Sequence, residues 1–576
     1  TYLLTMESTV SLWDCGEFIS SCFKIEIPHP PGAPLFVLMG RLFVILFGSN
    51  PETAAMAVNS MSAVMSGLTI LFLFWSITFF ARRMVLKNSD EPTGKNIFLV
   101  ISAGAIGALA YAFSDSFWFS AVEGEVYASS SFFTALVFWA MLKWERRAHL
   151  PEGNKWIVFI FYMIGLSIGV HLLNLLAIPA LVMIYYFRKY KPTWKGSIIA
   201  FVIGCLVTGI IQKFLIQYSV KAASWFDVTF VNDMNLPFFS GFIAFFILLA
   251  IAFVVALRYS LRKKLHNLNV ALWSAIFLFF GYSTYVTTMI RSNANPGIDM
   301  FNVDNPISLE GYLGREQYAD WPLVYGPDFT DSPPFYNDGK VYVKGDKKYV
   351  EAGVVKKPDW SATPSAHFFP RMWDNDNDRQ QQACYRRFSG LEEGANPTMS
   401  DNVKYFINYQ AGWMYMRYFM WNFAGRQNDF QGLGNARDSN WISGVQFVDN
   451  VIRGDQSQMP DSARTNNKAF NTLFMLPLIV GLAGLFVQYK RKRVDFIVNM
   501  LLFFFTGLAV VVYLNQSGFQ PRERDYAYVG SFYAFAIWIG LGVIAINQLM
   551  EKYMRIRYVT YAAVAITFLA VPVRML

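Results

Sequence analysis

The sequence predicts an all-α polytopic membrane protein with about 12–13 transmembrane helices and an extracytoplasmic insertion domain of mixed structure. Three observations lead to this fold class. Of the 576 residues, 54% are hydrophobic and only 15% are charged, compared with about 25% charged residues in typical soluble domains. Apolar segments recur along the chain, and one long polar stretch, 291–468, interrupts them. This composition excludes a disordered chain, a collagen-like chain and an ordinary soluble enzyme.

Twelve apolar segments are candidate membrane spans, because a helix needs about 20 apolar residues to cross a bilayer. These segments cover residues 54–80, 97–113, 126–142, 156–170, 172–187, 196–216, 237–257, 268–290, 469–488, 494–514, 531–549 and 558–574. One more apolar segment, 34–47, is shorter and contains Arg41. We predict that it lies flat in the membrane interface as an amphipathic helix.

Basic residues indicate the orientation of these spans. They form clusters in alternate connections between the apolar segments, so all clusters fall on one side of the membrane. The clusters lie within 82–95, 143–155, 188–195, 258–264, 490–493 and 552–557. The short loops on the opposite side hold only Lys24, Arg41, Lys221, Arg522 and Arg524. By the positive-inside rule the clusters face the cytoplasm. The net charge of +9 therefore follows a membrane pattern, and we predict no nucleic-acid partner.

The polar insertion divides the chain into three predicted parts. They are residues 1–290 with outer loops 5–53 and 114–125, the extracytoplasmic insertion domain 291–468, and the C-terminal transmembrane helices 469–576 with outer loop 515–530. A further outward loop is predicted over 217–236. Tyr2-Leu3-Leu4 is typical of the end of an earlier helix, and the last span ends near Leu576. We therefore expect a longer protein to continue beyond both ends.

The first outward loop carries two carboxylates, Asp14 and Glu17, just beyond a membrane boundary. Their spacing puts both on one face of a helix. A helix cap or a surface ion pair would explain this spacing as well as a functional pair. Four prolines follow within 28–34 and predict a rigid, non-helical strap that can hold a loop against a membrane-embedded site. His29, within this strap, is either a structural hydrogen-bonding group or part of the site.

Two further acids, Glu123 and Glu125, lie at the start of a predicted span. Acids in this position are costly unless they are paired or functional. The alternative is that they favour the helix start through its dipole. His171 lies between two short spans, where it is either a polar turn residue or a functional group.

Two arginines, Arg522 and Arg524, are exceptions to the basic-poor outer side. The planar guanidinium group binds phosphate oxygens well. The alternative is a salt-bridged loop in which these arginines pair with Glu523 and Asp525. Arg291 is a similar candidate.

The sequence offers no established metal or nucleotide motif. Residues 374–378 resemble the start of a calcium-binding loop, but Arg379 replaces the glycine at loop position 6 and Tyr385 replaces the acid at position 12. No zinc spacing, P-loop or dinucleotide fingerprint is present. Cys15 and Cys22 either form a disulfide on the outer side or remain thiols.

The first outer loop resembles that of GT-C glycosyltransferases, especially protein O-mannosyltransferases, which carry an acidic motif followed by His-Pro-Pro. A fuller set of strings is similar to bacterial glycosyltransferase family 117, and this resemblance runs from about residue 1 to 574. The strings are WDCGEF, HPPGAP, FWFSAVEGEVY, GVHLLNLLAIP, YLGREQY, RYFMWNFAGRQND and PRERDYAYVGSF.

The resemblance implies an integral membrane glycosyltransferase. Such an enzyme moves a sugar from a polyprenyl-phosphate donor to a hydroxyl acceptor by an inverting single displacement. The expected acceptor is Ser or Thr of exported proteins. The implied location is the bacterial inner membrane, with residues 1–290 as the catalytic, GT-C-like module and the active site facing the periplasm. The lipid-linked sugar is the only cosubstrate implied, and a divalent metal is not indicated.

The resemblance also implies roles for single residues. Asp14 matches the first acid of the motif and is expected to be the catalytic base, with Glu17 as the alternate base or an acceptor-positioning group. In O-mannosyltransferases the two acids are adjacent, whereas here Cys15 and Gly16 separate them. The other predicted substrate-binding residues are His29, Glu123, Glu125, His171, Arg291, Arg522, Arg524 and Asp525. Among these, Arg522 and Arg524 are candidates for the lipid phosphate.

Other functions remain open at this point. A transporter or flippase of a polar or lipid-linked solute should place ionisable residues near mid-membrane and often has two related halves, but here the acids cluster in outer loops. A transferase acting on a lipid or glycan is a second alternative, and a structural subunit is a third. Two roles are open for the stretch Tyr415–Asp429. It either holds the sugar or acceptor, or forms a packed domain core.

Overall fold

A computed structural model describes residues 1–86, 91–318, 320–375, 379–554 and 558–576. It is 66% helical with 5% strand. The helices are α1 (Tyr2–Thr5), α2 (Cys15–Lys24), α3 (Pro34–Leu46), α4 (Ala54–Val85), α5 (Gly94–Ala112), α6 (Asp115–Val122), α7 (Val126–Arg147), α8 (Asn154–Ile168), α9 (Ile178–Lys189), α10 (Trp194–Ile210), α11 (Ser219–Asn232), α12 (Ser240–Arg262), α13 (His266–Tyr282), α14 (Tyr285–Ser292), α15 (Pro306–Gly314), α16 (Arg379–Ser389), α17 (Met399–Tyr405), α18 (Arg417–Phe423), α19 (Gln446–Arg453), α20 (Leu476–Arg491), α21 (Arg493–Phe505), α22 (Leu508–Leu514), α23 (Val529–Tyr553), α24 (Val559–Ala570) and α25 (Pro572–Met575).

Shorter turns and strands complete the secondary structure. The 3-10 turns are Pro51–Thr53, Pro151–Gly153, Leu172–Ala177, Gln456–Gln458, Asp461–Ala463 and Asp525–Tyr528, and the π-helical segments are Ile211–Tyr218 and Phe406–Met416. The strands are β1 (Tyr325–Gly326), β2 (Phe335–Lys344), β3 (Tyr349–Pro358), β4 (His367–Phe368), β5 (Gly425–Arg426) and β6 (Asn471–Thr472). They pair as β1–β4, β2–β3 and β5–β6. All strands therefore lie within the predicted insertion or at its end.

Across the described ranges, nine helical stretches are long and apolar enough to cross a membrane. They are Pro51–Val85, Gly94–Ala112, Val126–Arg147, Leu172–Lys189, Trp194–Asn232, Ser240–Arg262, His266–Ser292, Arg493–Leu514 and Asp525–Tyr553. The other three predicted spans correspond to shorter helices, α8, α20 and α24. The predicted fold class, a polytopic helical protein with a small sheet-containing region, is confirmed.

Local signals explain where individual helices begin. The hydroxyl of Thr93 accepts a hydrogen bond from the amide of Asn96 at 3.2 Å. Thr193 does the same for Gly196 at 3.0 Å. These side chains satisfy amides that have no partner within their own helix. The apolar runs that follow then continue as α5 and α10.

Three sequence predictions of local structure are corrected. Residues 217–236 were expected to form a loop, but α10 continues through the π-helical segment into α11. The predicted loop 114–125 contains α6. The span predicted over 469–488 begins only at Leu476, because Asn471–Thr472 pairs antiparallel with Gly425–Arg426. The predicted helix over 34–47 is present as α3, whereas its position in the interface stays a prediction.

The chain separates into two compact units. The first consists of Thr1–Phe72, Phe119–Ala319 and Asn337–Val355, and the second of Leu73–Trp118, Asp320–Tyr336 and Lys356–Leu576. These units are defined by contacts within the fold. The predicted three parts are defined by membrane spans and the polar insertion, so that division stays a prediction. Parts of two sequence predictions lie outside the described residues: Asp376, Asn377 and Asp378 of the calcium-like segment, and Lys87, Arg555 and Arg557 of the basic clusters.

The first unit has an aromatic and aliphatic core between α2, α3, α4 and α7. Phe18, Phe36, Val58 and Phe133 are all at most 5% exposed in this core. A second contact joins α8 and α13, where a side chain at Gly165 would lie 2.3 Å from the carbonyl oxygen of Leu278. Glycine is therefore required for the close approach of these two helices.

The second unit is organised around α23, whose side chains are buried along most of its length. Phe535 and Trp538 are at most 2% exposed. A side chain at Gly484 of α20 would lie 1.9 Å from the carbonyl oxygen of Trp538. As in the first unit, a glycine lets two membrane helices pack backbone to backbone.

Candidate active site

Helix α2 presents the acidic pair at its N-terminal end. Asp14 occupies the N-cap position and Glu17 lies in the first turn. The opposite face carries Phe18, Ile19 and Cys22, which are at most 5% exposed in the core of the first unit. This burial fixes the rotation of α2, and therefore places both half-buried carboxylates on the side away from the core.

The proline strap is held in a defined conformation after α2. The amide of Ile27 donates to the carbonyl of Ile298 at 3.0 Å. The hydroxyl of Tyr312 donates to the carbonyl of Pro28. Gly32 has a φ of +66°, and a side chain there would lie 2.2 Å from the Tyr312 hydroxyl. Only glycine satisfies both demands at this position, so the strap and α15 are closely fitted.

The strap is joined to α2 by a paired contact between Glu17 and His29, which we call the latch. One carboxylate oxygen of Glu17 accepts the backbone amide of His29 at 2.7 Å. The other lies 2.6 Å from the His29 Nδ1. Since an ionised carboxylate only accepts hydrogen bonds, Nδ1 carries a proton. Both oxygens of Glu17 thus have donors from the strap.

The electrostatics of the latch favour an ion pair. The hydrogen bond to Glu17 raises the pKa of His29, burial opposes this, and the charges of Glu17, Asp14 and Glu125 raise it further. Burial alone would raise the pKa of Glu17, but the hydrogen bonds and charge of His29 outweigh it and lower this pKa. Both shifts favour the charged forms, a protonated imidazole and an ionised carboxylate.

The latch should make the stability of the protein depend on pH. Because the pKa of His29 is raised above its ordinary 6.5, its contribution is complete below pH 6.5 and is lost as pH rises through the raised value. Because the pKa of Glu17 is lowered below 4.5, its contribution is present above pH 4.5 and is lost as pH falls through the lowered value. We expect the thermal stabilities of wild type and His29→Asn to differ most near pH 5–6. A difference that stays constant from pH 5 to 10 would contradict the ion pair.

Asp14 completes a cluster with the latch. Ligand atoms of Asp14, Glu17 and His29 all lie within 4.8 Å of one another. This spacing would allow one divalent cation to be shared by the three side chains. It also fits a cation-free arrangement in which Asp14 faces a substrate and the latch fixes the loop.

The second acidic loop belongs to the same site. Glu125 is 2% exposed at the N-cap of α7, and its charge acts on His29. The carbonyl of the half-buried Glu123 accepts the amide of Glu125 at 2.9 Å. Asn59 donates to the carbonyls of Glu7 and Thr9 at 2.8 and 3.2 Å, which ties the segment before α2 to α4. Glu125 thus acts on the latch through its charge on His29, and the predicted substrate-binding roles of Glu123 and Glu125 stay predictions.

His171 lies at the end of α8, on a segment that also contacts the strap. The carbonyl of Gly169 accepts the amide of Leu35 at 2.9 Å. The Nδ1 of His171 accepts the amide of Leu173 at 3.2 Å, and its ring packs edge-on against Tyr127 at 5.5 Å. Burial and the charge of Arg315 lower the pKa of His171 to about 4. It is therefore a neutral imidazole at neutral pH.

Arg291 has a contact that the sequence does not suggest. Its guanidinium donates to the carbonyls of Ile25 at 2.7 Å and Lys24 at 3.1 Å. These carbonyls end α2, so Arg291 satisfies acceptors that have no partner in the helix. Its predicted substrate role stays a prediction.

The predicted phosphate-binding arginines belong to the second unit. Arg522 lies over the ring of Tyr526 at 5.0 Å. The amide of Arg524 donates to the hydroxyl of Tyr418 at 3.0 Å. Asp525 begins a 3-10 turn before α23. All three residues are half-buried, and their predicted roles remain untested.

The acid between these arginines has partners that sequence reasoning missed. Glu523 accepts two hydrogen bonds from Arg417, at 2.6 and 3.1 Å. It also accepts from the Tyr418 hydroxyl at 2.6 Å and the Gly432 amide at 3.1 Å. Arg417 is 2% exposed and lies 4.0 Å from the Trp413 ring. The stretch Tyr415–Asp429 thus contributes to a packed core, as one of its two predicted roles required.

Sequence reasoning also missed the residues that support the strap. Tyr312 is 284 positions from its acceptor Pro28, and no local pattern links the two segments. The structure decides between the two predictions for the cysteines: Cys15 and Cys22 are buried thiols that form no disulfide. Cys22 packs against Gly40, where a side chain would lie 2.3 Å from its sulfur.

Comparison with known proteins gives two family matches. Residues 14–194 match the family described as Protein O-mannosyl-transferase TMEM260 N-terminal domain. Residues 319–407 match a family of unknown function. The first match begins at Asp14 and contains the latch, both acids of the second loop and His171.

Individual relatives agree with the first match. Protein O-mannosyl-transferase tmem260 of Dictyostelium discoideum is 22% identical over 231 residues, which are 38% of this chain and 26% of that protein. Protein O-mannosyl-transferase TMEM260 of Mus musculus is 24% identical over 167 residues, 29% of this chain and 21% of that protein. The matched part thus spans about a quarter of each relative's length. No solved structure matches.

The fold and these matches define a class: a multi-pass helical membrane protein whose first third carries an acidic site. Within that class, the chain is similar to protein O-mannosyl-transferases. The resemblance predicted from the first loop is confirmed at this level. The narrower resemblance to glycosyltransferase family 117 stays a prediction.

Proposed function

We propose that this protein is an integral membrane glycosyltransferase. It transfers a sugar from a polyprenyl-phosphate donor to the hydroxyl of Ser or Thr in exported proteins, on the periplasmic face of a bacterial inner membrane. The observation that carries the proposal is the cluster of Asp14, Glu17 and His29, which lies inside the region similar to O-mannosyl-transferases.

Asp14 is the proposed catalytic base. An alcohol is a poor nucleophile at neutral pH, so a carboxylate must accept its proton as attack proceeds. Both oxygens of Glu17 already accept hydrogen bonds from His29, which favours a positioning role for Glu17. The Asp14 side chain does not cap α2, and its carboxylate lies within 4.8 Å of ligand atoms of Glu17 and His29.

The proposed reaction is a single displacement with inversion. The acceptor oxygen forms a bond to the anomeric carbon while the bond from that carbon to the phosphate oxygen breaks. The sugar passes through an oxocarbenium-like state, as in glycoside hydrolysis. The acceptor proton moves to Asp14, and the polyprenyl phosphate leaves with the electron pair. Glu123, Glu125 and His171 are the proposed neighbours of the sugar or acceptor.

Arg522 and Arg524 are the proposed partners of the donor phosphate, because guanidinium groups stabilise developing phosphate charge. We expect Arg522→Ala to raise the KM for the donor by about 10-fold or more, with little change in the KM for the acceptor. Initial rates measured against each substrate in turn will check this. Equal losses for donor and acceptor would instead indicate a structural loop.

The proposal is tested directly by reconstitution. The full chain in lipid nanodiscs would be given a radiolabelled polyprenyl-phosphate mannose and a Ser/Thr-rich peptide. Label in the peptide supports the proposal. Label in added lipid or glycan instead would mean that the acceptor is that lipid or glycan and not a protein. No transfer from any polyprenyl-phosphate sugar would overturn it. Parallel reactions with a chelator will show whether the cluster needs a cation.

A further inference from the structure

The second unit contains a cavity of about 360 Å³. This volume is within the range of small-molecule sites, roughly 300–1,000 Å³. Its walls come from α16, the π-helical segment Phe406–Met416 and two loops, 431–433 and 519–523. The loops are tied together by a hydrogen bond from the Gln431 side chain to the carbonyl of Gln520 at 2.7 Å. The cavity is therefore built from fixed elements.

Aromatic rings form the inner wall of this cavity. Phe388 packs against Tyr409 at 4.9 Å and against Trp413 at 6.2 Å. Trp413 is itself held from behind by the guanidinium of Arg417 at 4.0 Å. A side chain at Gly432 would lie 2.7 Å from the Trp413 ring, so the glycine lets the loop close over the ring. The wall is thus apolar and closely packed, with the planes of Tyr409 and Trp413 inclined to that of Phe388 by 63° and 49°.

Polar groups form the rim. The lining includes the amide side chains of Gln380, Gln431 and Gln520 and the guanidinium of Arg522. Arg387 donates to the carbonyls of Leu433 and Gly434 at 3.1 and 2.7 Å, which holds one loop in place. The aromatic wall and the amide rim therefore face the same space.

The cavity lacks the features of a second catalytic centre. Glu523 lines it, but its carboxylate is bonded to Arg417, Tyr418 and Gly432. Burial raises the pKa of the Cys384 thiol to about 11, so this sulfur is protonated at neutral pH. Binding is the role that these groups can perform.

We infer that this cavity is a saccharide-binding site that takes a hexose ring, with one face of the ring stacked on the aromatic wall and its hydroxyls bonded to the glutamine and arginine rim. A pyranose has an apolar C–H face and a polar edge, which matches the two sides of this cavity. The side-chain amide nitrogens of Gln431 and Gln520 donate to protein carbonyls at 2.7 and 2.9 Å. A hexose hydroxyl can donate to the side-chain oxygens of these residues, whereas an acyl or isoprenoid chain has no donor for them. The hexose comes either from the lipid-linked donor or from a glycan.

The inference extends the proposed function but can fail separately from it. A transferase without this second site would still transfer sugar, and a saccharide-binding protein without transferase activity would still bind here. Binding is therefore measured in the inactive Asp14→Asn protein as well as in wild type. In both proteins we expect the same binding at this cavity.

Hydrogen exchange with mass spectrometry will locate the binding. The full chain in nanodiscs would be incubated with α-mannobiose or with a short-chain prenyl-phosphate mannose. We expect slower exchange at 380–388, 431–433 and 519–523. Protection by mannobiose identifies a glycan as the source, and protection by the prenyl-phosphate sugar alone identifies the donor. No protection by either ligand would overturn the inference.

A variant of a fourth aromatic lining residue tests the contribution of the aromatic lining without disturbing the buried core. Phe519 lines the cavity and is 39% exposed, so Phe519→Ala should fold normally. We expect it to weaken the affinity by about 3- to 10-fold. The matched control is Phe447→Ala, an aromatic that is 79% exposed and does not line the cavity. Unchanged protection in Phe519→Ala, or an equal loss in Phe447→Ala, would overturn the inference.

Discussion

Replacing Asp14 by asparagine is expected to lower sugar transfer by about 100- to 10,000-fold, the range attributed to a general base. The substitution is nearly isosteric, so it removes basicity without opening a cavity. The latch keeps its own partners, because both oxygens of Glu17 are bonded to His29 and not to the substituted side chain. The folded state should therefore be retained.

The measurement is the single-turnover rate with saturating donor and acceptor, together with thermal unfolding in the same nanodiscs. Glu52→Gln is the matched control, since Glu52 is an exposed acid of the first unit outside the cluster. Its rate should equal that of wild type. If Asp14→Asn retains activity within a few-fold of wild type, Asp14 is not the base, and Glu17→Gln becomes the decisive variant.

Replacing Arg417 by methionine is expected to destabilise the second unit by about 3–5 kcal/mol, the cost of leaving one partner of a buried ion pair without the other. The guanidinium of Arg417 donates to both carboxylate oxygens of Glu523 and to the carbonyl of Ser439 at 2.9 Å. It is also enclosed by Trp413 at 4.0 Å and Trp421 at 4.8 Å. The substitution would leave the carboxylate of Glu523, whose side chain is only 20% exposed, without its cation.

Thermal unfolding of the purified protein will check this expectation, and a second variant isolates its cause. Arg417→Met combined with Glu523→Gln should recover part of the loss, because the uncompensated charge is gone. Arg437→Met is the control: Arg437 pairs with Asp438 at 2.7 Å but is 68% exposed in its side chain, so little change is expected. If Arg417→Met alone is as stable as wild type, the Arg417–Glu523 pair contributes nothing to the stability of the folded protein.

The sequence predicted best what depends on continuous apolar stretches. Such stretches predict the membrane spans, because a helix needs a minimum number of apolar residues to cross a bilayer. It failed at 219–232, which lie in the predicted loop 217–236 but form α11. It also began the span over 469–488 too early, because Asn471–Thr472 pairs with Gly425–Arg426, which is 45 positions away in the sequence.

The candidate site was predictable only where its residues are close in sequence. Asp14, Glu17 and His29 lie within 16 positions of one another, and the sequence analysis named all three as candidates, with roles implied by the family resemblance. Glu125 joins them through packing of α7, which no spacing reveals. Arg291 and Arg417 were assigned no structural partner from the sequence, since their acceptors are 266 and 106 positions away.

The contact between Tyr312 and Pro28 has a consequence for synthesis of the protein. The N-terminal loop leaves the ribosome early, yet the hydroxyl that fixes its strap belongs to a residue made 284 positions later. A nascent chain that stops before this point would carry the acids and prolines but lack their support. The proposed site should thus mature only after Tyr312 has been made, when several of the predicted membrane helices have already been inserted.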